Sequence, residues 1–150
     1  MTRAARRLEQ LEGIRALRTL GKQIAENEVL EAKRLLRRAC EERDREIRQL
    51  EATVADWHCE LAAPDFDPAA IARRGAVIDR QFKRAEEYGG RVEARQNALT
   101  AARNACNLAI VEESCASSLL HREKVRVQRR REERQVAESG DESAIRALMS

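Results

Sequence analysis

The sequence predicts an all-α protein folded as a long antiparallel two-helix coiled-coil hairpin. The prediction depends on three observations: a composition typical of long helices, apolar residues that recur every three or four positions, and one pair of prolines near the middle. Charged residues make up 37% of the 150 residues, and aromatic residues only 3%. Long coiled-coil helices are typical of such a composition, whereas most globular cores depend on large aromatic side chains.

The turn of the hairpin is predicted at Pro64-Asp65-Phe66-Asp67-Pro68, the segment that holds both prolines. Pro64 cannot continue a helix, because it lacks an N–H and its ring clashes with the preceding turn. Asp67 and Pro68 form a helix start, with a side-chain acceptor at the N-cap and a residue of fixed φ at the first helical position. We therefore predict a first helix over about residues 6–62, a turn over residues 63–67 and a second helix over about residues 68–136.

The first helix carries two apolar stripes. A seam with alternating three- and four-residue spacing runs from Val29 to Leu61, and another stripe runs from Leu8 to Ile24. Because this upstream stripe does not continue smoothly into Val29, the pattern predicts a phase shift of the stutter kind between Ile24 and Val29.

The second helix carries one longer seam. Starting at Ile71, positions spaced by four and three residues continue through Gly75, Ile78 and Phe82 as far as Val127, and ten of these seventeen positions are apolar. A repeat sustained over about eight heptads indicates a coiled coil rather than a strand pattern.

A hairpin folded at the proline pair places positions whose numbers sum to about 130 opposite each other. Trp57 is then expected near Ile71. Gly89 is expected near Arg43, where the missing side chain of the glycine leaves room for the aliphatic stem of the arginine. Alternatively, Gly89-Gly90 kinks the second helix. An antiparallel monomer satisfies this pattern, and so does a dimer of hairpins.

Beyond Arg134 the apolar pattern fades. The polar segment Ser139-Gly140-Asp141-Glu142-Ser143 indicates a helix end, and we predict a flexible tail over residues 137–150. The whole chain is thus predicted to be one helical hairpin, without a second domain.

The sequence contains no catalytic, cofactor-binding or metal-binding pattern. Gly21-Lys22 lacks both the preceding glycine and the following Ser or Thr of a phosphate-binding P-loop. His58 beside Cys59 and the distant His121 lack the arrangement of a zinc site or of an activated nucleophile. The four cysteines are not closely paired and are expected to be free thiols. We therefore predict a protein that is not an enzyme and uses no cofactor.

The chain shows no segment with membrane character. No window approaches the ~18 consecutive apolar residues of a membrane span. The basic start of the chain is not followed by an apolar run, so a secretory signal is not expected. These observations predict a cytoplasmic protein without membrane insertion.

Both ends of the predicted hairpin are basic, and we call residues 1–22 and 121–134 the basic tip. The first segment carries six basic and two acidic side chains and the second seven basic and three acidic ones, a net charge of +4 in each. Mutual repulsion at the tip favours a partner with a negative or carbonyl-rich surface. The alternatives are that the arginines only solvate an exposed helix end, or that they bind nucleic acid, although no aromatic residue interleaves them and no named motif is present.

One stretch near the start of the chain resembles a known family. Leu11-Glu12-Gly13-Ile14-Arg15-Ala16-Leu17-Arg18, with the Arg- and Glu-rich residues 26–61, is similar to the FliJ/YscO/HrpO-type central stalk proteins of flagellar and type III secretion export. The similarity in periodicity covers roughly residues 8–134. It implies a cytosolic two-helix stalk whose paired ends insert into a hexameric export ATPase. It also implies contact with the cytoplasmic domain of the export gate and, in some members, with secretion chaperones.

Matched onto this chain, the resemblance implies a set of ATPase-binding residues at the basic tip. They are Arg15, Leu17, Arg18, Arg122, Lys124, Arg126, Arg129, Arg130 and Arg131. The expected function is that of a coupling stalk. The alternatives are a basic helical nucleic-acid-binding protein and a structural coiled-coil adaptor that dimerises in parallel.

Overall fold

The computed structural model describes residues 2–65 and 67–150; Met1 and Phe66, the latter in the predicted turn, lie outside the described residues. In these ranges the chain forms two helices, α1 over Arg3–Leu61 and α2 over Pro68–Met149. The helices contact each other, and no described residue belongs to a strand. The predicted all-α two-helix hairpin is confirmed.

The start of α1 lies at Arg3, before the predicted boundary near residue 6, because Thr2 caps the helix. Thr2 Oγ1 accepts a hydrogen bond from the Ala5 N–H at 3.2 Å, and the Thr2 carbonyl accepts one from the Arg6 N–H at 3.1 Å. A threonine at the N-cap satisfies N–H groups that a helix start otherwise leaves without partners.

The turn between the helices lies at the predicted proline pair. α1 ends at Leu61, shortly before Pro64, and α2 begins at Pro68. Asp67 Oδ1 accepts a hydrogen bond from the Ala69 N–H at 3.0 Å. Asp67 is therefore the N-cap and Pro68 the first helical residue, as predicted.

The end of α2 differs from the prediction, because the helix continues past residue 136 to Met149. The segment 139–143, predicted to end the helix, lies inside it. Its single glycine, Gly140, costs a helix only about 1 kcal/mol relative to alanine, and alanines and long-chain residues that favour helix surround it. All side chains over residues 137–150 are exposed, so an exposed helical extension replaces the predicted tail.

The chain divides into two compact units. The terminal unit contains the described residues as far as Ala25 together with Cys106–Ser150, and the turn unit contains Glu26–Ala105. Within each unit a segment of α1 packs against a segment of α2 in antiparallel orientation, as the ion pairs between the helices show.

The turn unit contains the contact that the register predicts. The Trp57 indole N–H donates a hydrogen bond to the Ile71 carbonyl at 3.2 Å. Arg74 forms an ion pair with Glu60 at 2.8 Å. The buried apolar residues of this unit are Ala39, Val92 and Leu99.

Gly89 and Gly90 lie inside α2. Apart from its chain neighbours and the backbone of its own helix, no described atom lies within 4 Å of the position that a Cβ of Gly89 would take. The predicted placement of the Arg43 stem against Gly89 is therefore wrong. The Arg43 guanidinium instead pairs with the adjacent Asp44 at 3.2 Å.

The packed side of α2 follows the predicted seam at most positions and differs from it at five of the seventeen. Leu99 and Leu120 are buried as predicted, but the predicted seam residues Phe82 and Ile110 are exposed, and Ala116 is buried instead. The reason is that the spacing between two helices depends on the side chains at their contact, and small residues allow close approach. Counting large apolar residues does not detect a contact made by alanine.

The same shift occurs in α1. Ala25 and Ala39 are buried, whereas Ile24 and Ile47 are exposed. Val29 is half-buried and lies four residues after the buried Ala25. The less exposed residues of α1 therefore continue at spacings of three and four across this region. The stutter predicted between Ile24 and Val29 is therefore absent from the burial pattern.

Candidate protein-binding surface of the terminal unit

Several ion pairs join α1 and α2 within the terminal unit. Among the described residues they join Arg7 with Glu123, Glu12 with Lys124, Arg18 with Glu112, and Lys22 with Glu113. The pair between Arg18 and Glu112 is also a hydrogen bond, at 2.7 Å. Residues 1–22 and 121–134, the two segments of the basic tip, thus contribute to one unit.

Glu123 is a buried carboxylate on the packed side of α2. Its oxygens lie 3.7 Å from Arg7 Nε and 3.6 Å from Arg126 Nη1. Two nearby guanidinium groups make this burial tolerable, because a carboxylate is expensive to remove from water unless it is paired. Arg126, which the sequence assigns to partner binding, therefore also stabilises the unit. Counting charges in the sequence does not reveal this role of Arg126, because it treats every arginine as available for binding a partner.

All nine residues predicted to bind the ATPase lie in the terminal unit and are exposed. Three of them form ion pairs inside the chain: Arg18, Lys124 and Arg126. Leu17, the one apolar member, is 70% exposed. The structure therefore divides the predicted set into residues that stabilise the hairpin and residues that remain accessible.

The other five members have no ion pair among the described residues, and we call them the unpaired arginines. They are Arg15, Arg122, Arg129, Arg130 and Arg131. A guanidinium presents five N–H donors in a fixed planar arrangement that suits carboxylates and phosphates. These side chains can therefore bind acidic groups of another molecule without breaking a contact of the hairpin.

A groove lies between the first turns of α1 and the facing part of α2. Besides Thr2 and the small Ala4 and Ala5, its lining combines four arginines, two carboxylates and two larger apolar side chains. These residues are Arg3, Arg130, Arg131, Arg134, Glu9, Glu12, Leu8 and Val127. Such a lining suits a protein segment with both acidic and apolar side chains, because arginine pairs with carboxylates while its stem covers apolar surface.

The described part of the chain shows no metal site, no disulfide and no membrane-spanning helix. No group of three His, Cys, Asp or Glu side chains there is placed to hold a metal ion. The four cysteines are free thiols, as predicted. None of the described helical segments has the length and apolar character that crossing a bilayer requires.

Comparison of the chain with protein-family models, with curated proteins and with solved structures finds no match. The fold and the surface define an all-α helical hairpin with a basic terminal unit. A more particular function has to be argued from the exposed charged and apolar residues of this unit.

Proposed function

We propose that this chain is the central stalk of a type III secretion or flagellar export ATPase, and that its terminal unit binds the pore of the hexameric ring. The observation that supports the proposal most is the net charge of +4 in each segment of the basic tip, where the five unpaired arginines are exposed. Acidic side chains and carbonyl groups lining a ring pore would accept hydrogen bonds from these guanidinium groups.

The charge of the free terminal unit favours such a partner. Each segment of the basic tip has a net charge of +4. Arg122, Arg126 and Arg129 follow one another at spacings of four and three residues on α2. Like charges at these spacings destabilise a helix by about 0.2–0.5 kcal/mol per pair. A negatively charged partner would remove this repulsion, so binding would stabilise the end of the hairpin.

The resemblance also supports the remaining parts of the proposal. The chain would contact the cytoplasmic domain of the export gate and secretion chaperones, and would act in the cytoplasm. In this role it binds and couples other proteins, is not itself an enzyme, and uses no cofactor.

Reversing the charge of unpaired arginines tests the proposal. We expect the wild-type chain to co-purify with a type III export ATPase and to raise its rate of ATP hydrolysis. A chain with Arg15→Glu, Arg122→Glu, Arg129→Glu and Arg130→Glu keeps the ion pairs of the terminal unit. We expect it to bind at least about tenfold more weakly, because each lost charge-assisted hydrogen bond contributes about 1.5 kcal/mol or more.

The matched control reverses four exposed arginines of the turn unit. They are Arg73, Arg80, Arg95 and Arg103. This variant has the same net charge as the first one, and we expect it to stimulate hydrolysis like the wild type. Stimulation that survives reversal in the terminal unit, or that is lost equally in the control, would contradict the proposal, as would a wild-type chain that leaves hydrolysis unchanged.

The unpaired arginines also favour a second candidate function, nucleic-acid binding, because guanidinium groups bind phosphates. The basic tip has no interleaved aromatic residues on which bases could stack, and we predict that nucleic acid is not a partner. We expect no retarded band for a short duplex in about 50 mM salt. A band that weakens steeply as salt rises to about 200 mM would favour the second function, because phosphate contacts release counterions.

A further inference from the structure

The last part of α2 extends beyond the start of α1, and we call residues 137–149 the extension. All of its side chains are exposed. A single helix of about this length is only marginally stable in water, because most helical stability in proteins comes from packing one face against another element. A second helix beside the extension would therefore stabilise it.

One face of the extension carries three carboxylates followed by three apolar side chains. Each of these residues lies three or four positions from another, so they share a face of the helix. They are Glu138, Asp141, Glu142, Ile145, Leu148 and Met149. The three carboxylates form no ion pair among the described residues. This face can therefore bind cations and apolar side chains of another helix.

The groove beside the first turns of α1 has the complementary lining. Three of its arginines, Arg130, Arg131 and Arg134, form no ion pair among the described residues. Leu8 and Val127 supply apolar surface in the same groove. Arginines bind carboxylates through charge-assisted hydrogen bonds, and apolar side chains gain by leaving water together. The extension thus matches the groove in both charge and apolar character.

The extension cannot reach the groove of its own chain. It continues the same helix as Arg134, which lines the groove, and leads away from it by about 1.5 Å per residue. Any extension bound in the groove therefore belongs to a second copy of the chain.

An antiparallel second copy brings the two surfaces together in a single register. When two α2 helices lie side by side with their centre at the level of Val136, residues equally far before and after this level face each other. The opposed residues two, five and six positions from it are Arg134 with Glu138, Arg131 with Asp141, and Arg130 with Glu142. Each is a pair of opposite charges, and the twofold axis makes every pair twice.

The apolar end of the extension agrees with the same register. Nine positions from the centre, Ile145 faces Val127. Twelve positions from the centre, Leu148 faces Lys124, whose aliphatic stem can cover an apolar side chain. One register therefore pairs both the charged and the apolar side chains of the extension.

Charges of the same sign do not face each other on this side of the helix. Met149 lies opposite Glu123, which Arg7 and Arg126 of its own chain already hold. Arg126 and Arg146 are also equally far from the centre. Each of them, however, lies one residue away from a residue of the contact face, about 100° round the helix and on opposite sides of the pair.

The contact is long enough for a specific interface. It covers residues 123–149 of both α2 helices, about 40 Å of helix, together with the groove residues of α1. With about 15–20 residues on each side, it would bury about 1,000–1,400 Å² in total, which reaches the size of a specific interface.

A parallel copy would not give these contacts. With both α2 helices in the same direction, each carboxylate of the extension would face the same carboxylate of the other copy, and each groove arginine would face the same arginine. Like charges placed opposite each other destabilise an interface. Charge therefore favours the antiparallel orientation.

We propose that two copies of this chain form an antiparallel pair in which the extension of each copy binds the groove of the other, with the twofold axis at the level of Val136. The proposal does not depend on ATPase binding. Because exposed ion pairs each contribute little and the interface is small, we expect a dissociation constant of about 1–100 µM. The association is then reversible at ordinary protein concentrations.

Light scattering at increasing protein concentration tests the association. We expect the wild-type mass to rise from 17.1 kDa towards twice this value over about 1–300 µM, following the affinity above. The extension variant combines Glu138→Arg, Asp141→Arg and Glu142→Arg. It should pair at least about tenfold more weakly, because every attractive charge pair of the contact becomes repulsive. Its hairpin should still fold, as circular dichroism can show, since all three residues are exposed.

The matched control reverses three exposed carboxylates of the turn unit, with Glu28→Arg, Glu41→Arg and Glu51→Arg. It has the same net charge as the extension variant and should associate like the wild type. A wild-type mass that stays at 17.1 kDa up to about 300 µM, well above the expected affinity, would overturn the proposal. Equal affinities of the extension variant and this control would also overturn it.

A mixing experiment tests whether the extension and the groove meet each other. The groove variant combines Arg130→Glu, Arg131→Glu and Arg134→Glu, and it should remain a monomer at concentrations where the wild type pairs. Mixed with the extension variant, it should form a pair of one copy each, because every opposed position then joins an arginine with a carboxylate. A mixture that stays monomeric would contradict the proposed contact.

Single charge exchanges test the position of the twofold axis. Glu138→Arg alone should weaken the pair, and adding Arg134→Glu should restore it, because these two positions face each other. Adding Arg130→Glu instead should weaken the pair further, since position 130 faces Glu142. Both double variants have the net charge of the wild type, so a difference between them reports the register. Equal affinities of the two double variants would exclude an axis at the level of Val136.

Discussion

Leu120→Ala is expected to lower the free energy of unfolding by about 2–3 kcal/mol. Leu120 is 3% exposed and lies in the terminal unit, where a single layer of contacts joins α1 and α2. Removing its side chain forfeits the buried apolar area and leaves a gap between the helices. The effect should fall in the lower part of the range for buried leucines, because water borders the contact of two helices and fills part of the gap.

Chemical denaturation followed by circular dichroism measures this loss. Leu148→Ala is the matched control, since it removes the same atoms from a leucine that is 87% exposed in the same unit. Leu148→Ala should change the free energy of unfolding by no more than about 0.5 kcal/mol. Equal losses in the two variants would mean that Leu120 is not at the centre of the helix contact.

Ala116→Leu is expected to destabilise the terminal unit by about 1–3 kcal/mol. Ala116 is 6% exposed and lies on the packed side of α2. An isobutyl group in place of its methyl group would push the helices apart and disturb the contacts of Leu120 nearby. A prediction from the sequence that considers only large apolar residues would expect Ala116→Leu to stabilise the protein, because the substitution adds a leucine to the packed side.

The control for Ala116→Leu is Ala137→Leu, at an exposed position of the same helix. Both substitutions lower the helix propensity by the same small amount, so the difference between them reports the space between α1 and α2. Thermal or chemical unfolding of the two variants gives this difference. Stabilisation by Ala116→Leu would show that the helices stand far enough apart to accept a large side chain.

The accessible part of the candidate surface was only partly visible in the sequence. Counting charges located the basic tip, because net charge is a sum over residues and does not depend on side-chain positions. The division of its cations into paired and unpaired ones was not predictable. It depends on which carboxylates of the other helix lie within reach, as Glu123 shows by holding both Arg7 and Arg126.

The sequence by itself determined the fold class and the turn. A proline stops a helix and an aspartate caps the next one through contacts within a few residues, so Asp67 and Pro68 could be placed without any knowledge of packing. The length of α2 beyond residue 136 was less predictable, because several weak helix propensities compete there with one glycine.

Only the tertiary structure decided which side of each helix is packed. Large apolar residues recur along the whole of α1, and nothing in their spacing tells which of them meet α2 and which remain outside. The packed stripe contains the small Ala25 and excludes the larger Ile24. The physical reason is that the contact between two helices depends on how closely their backbones approach, and this distance is a property of both helices together.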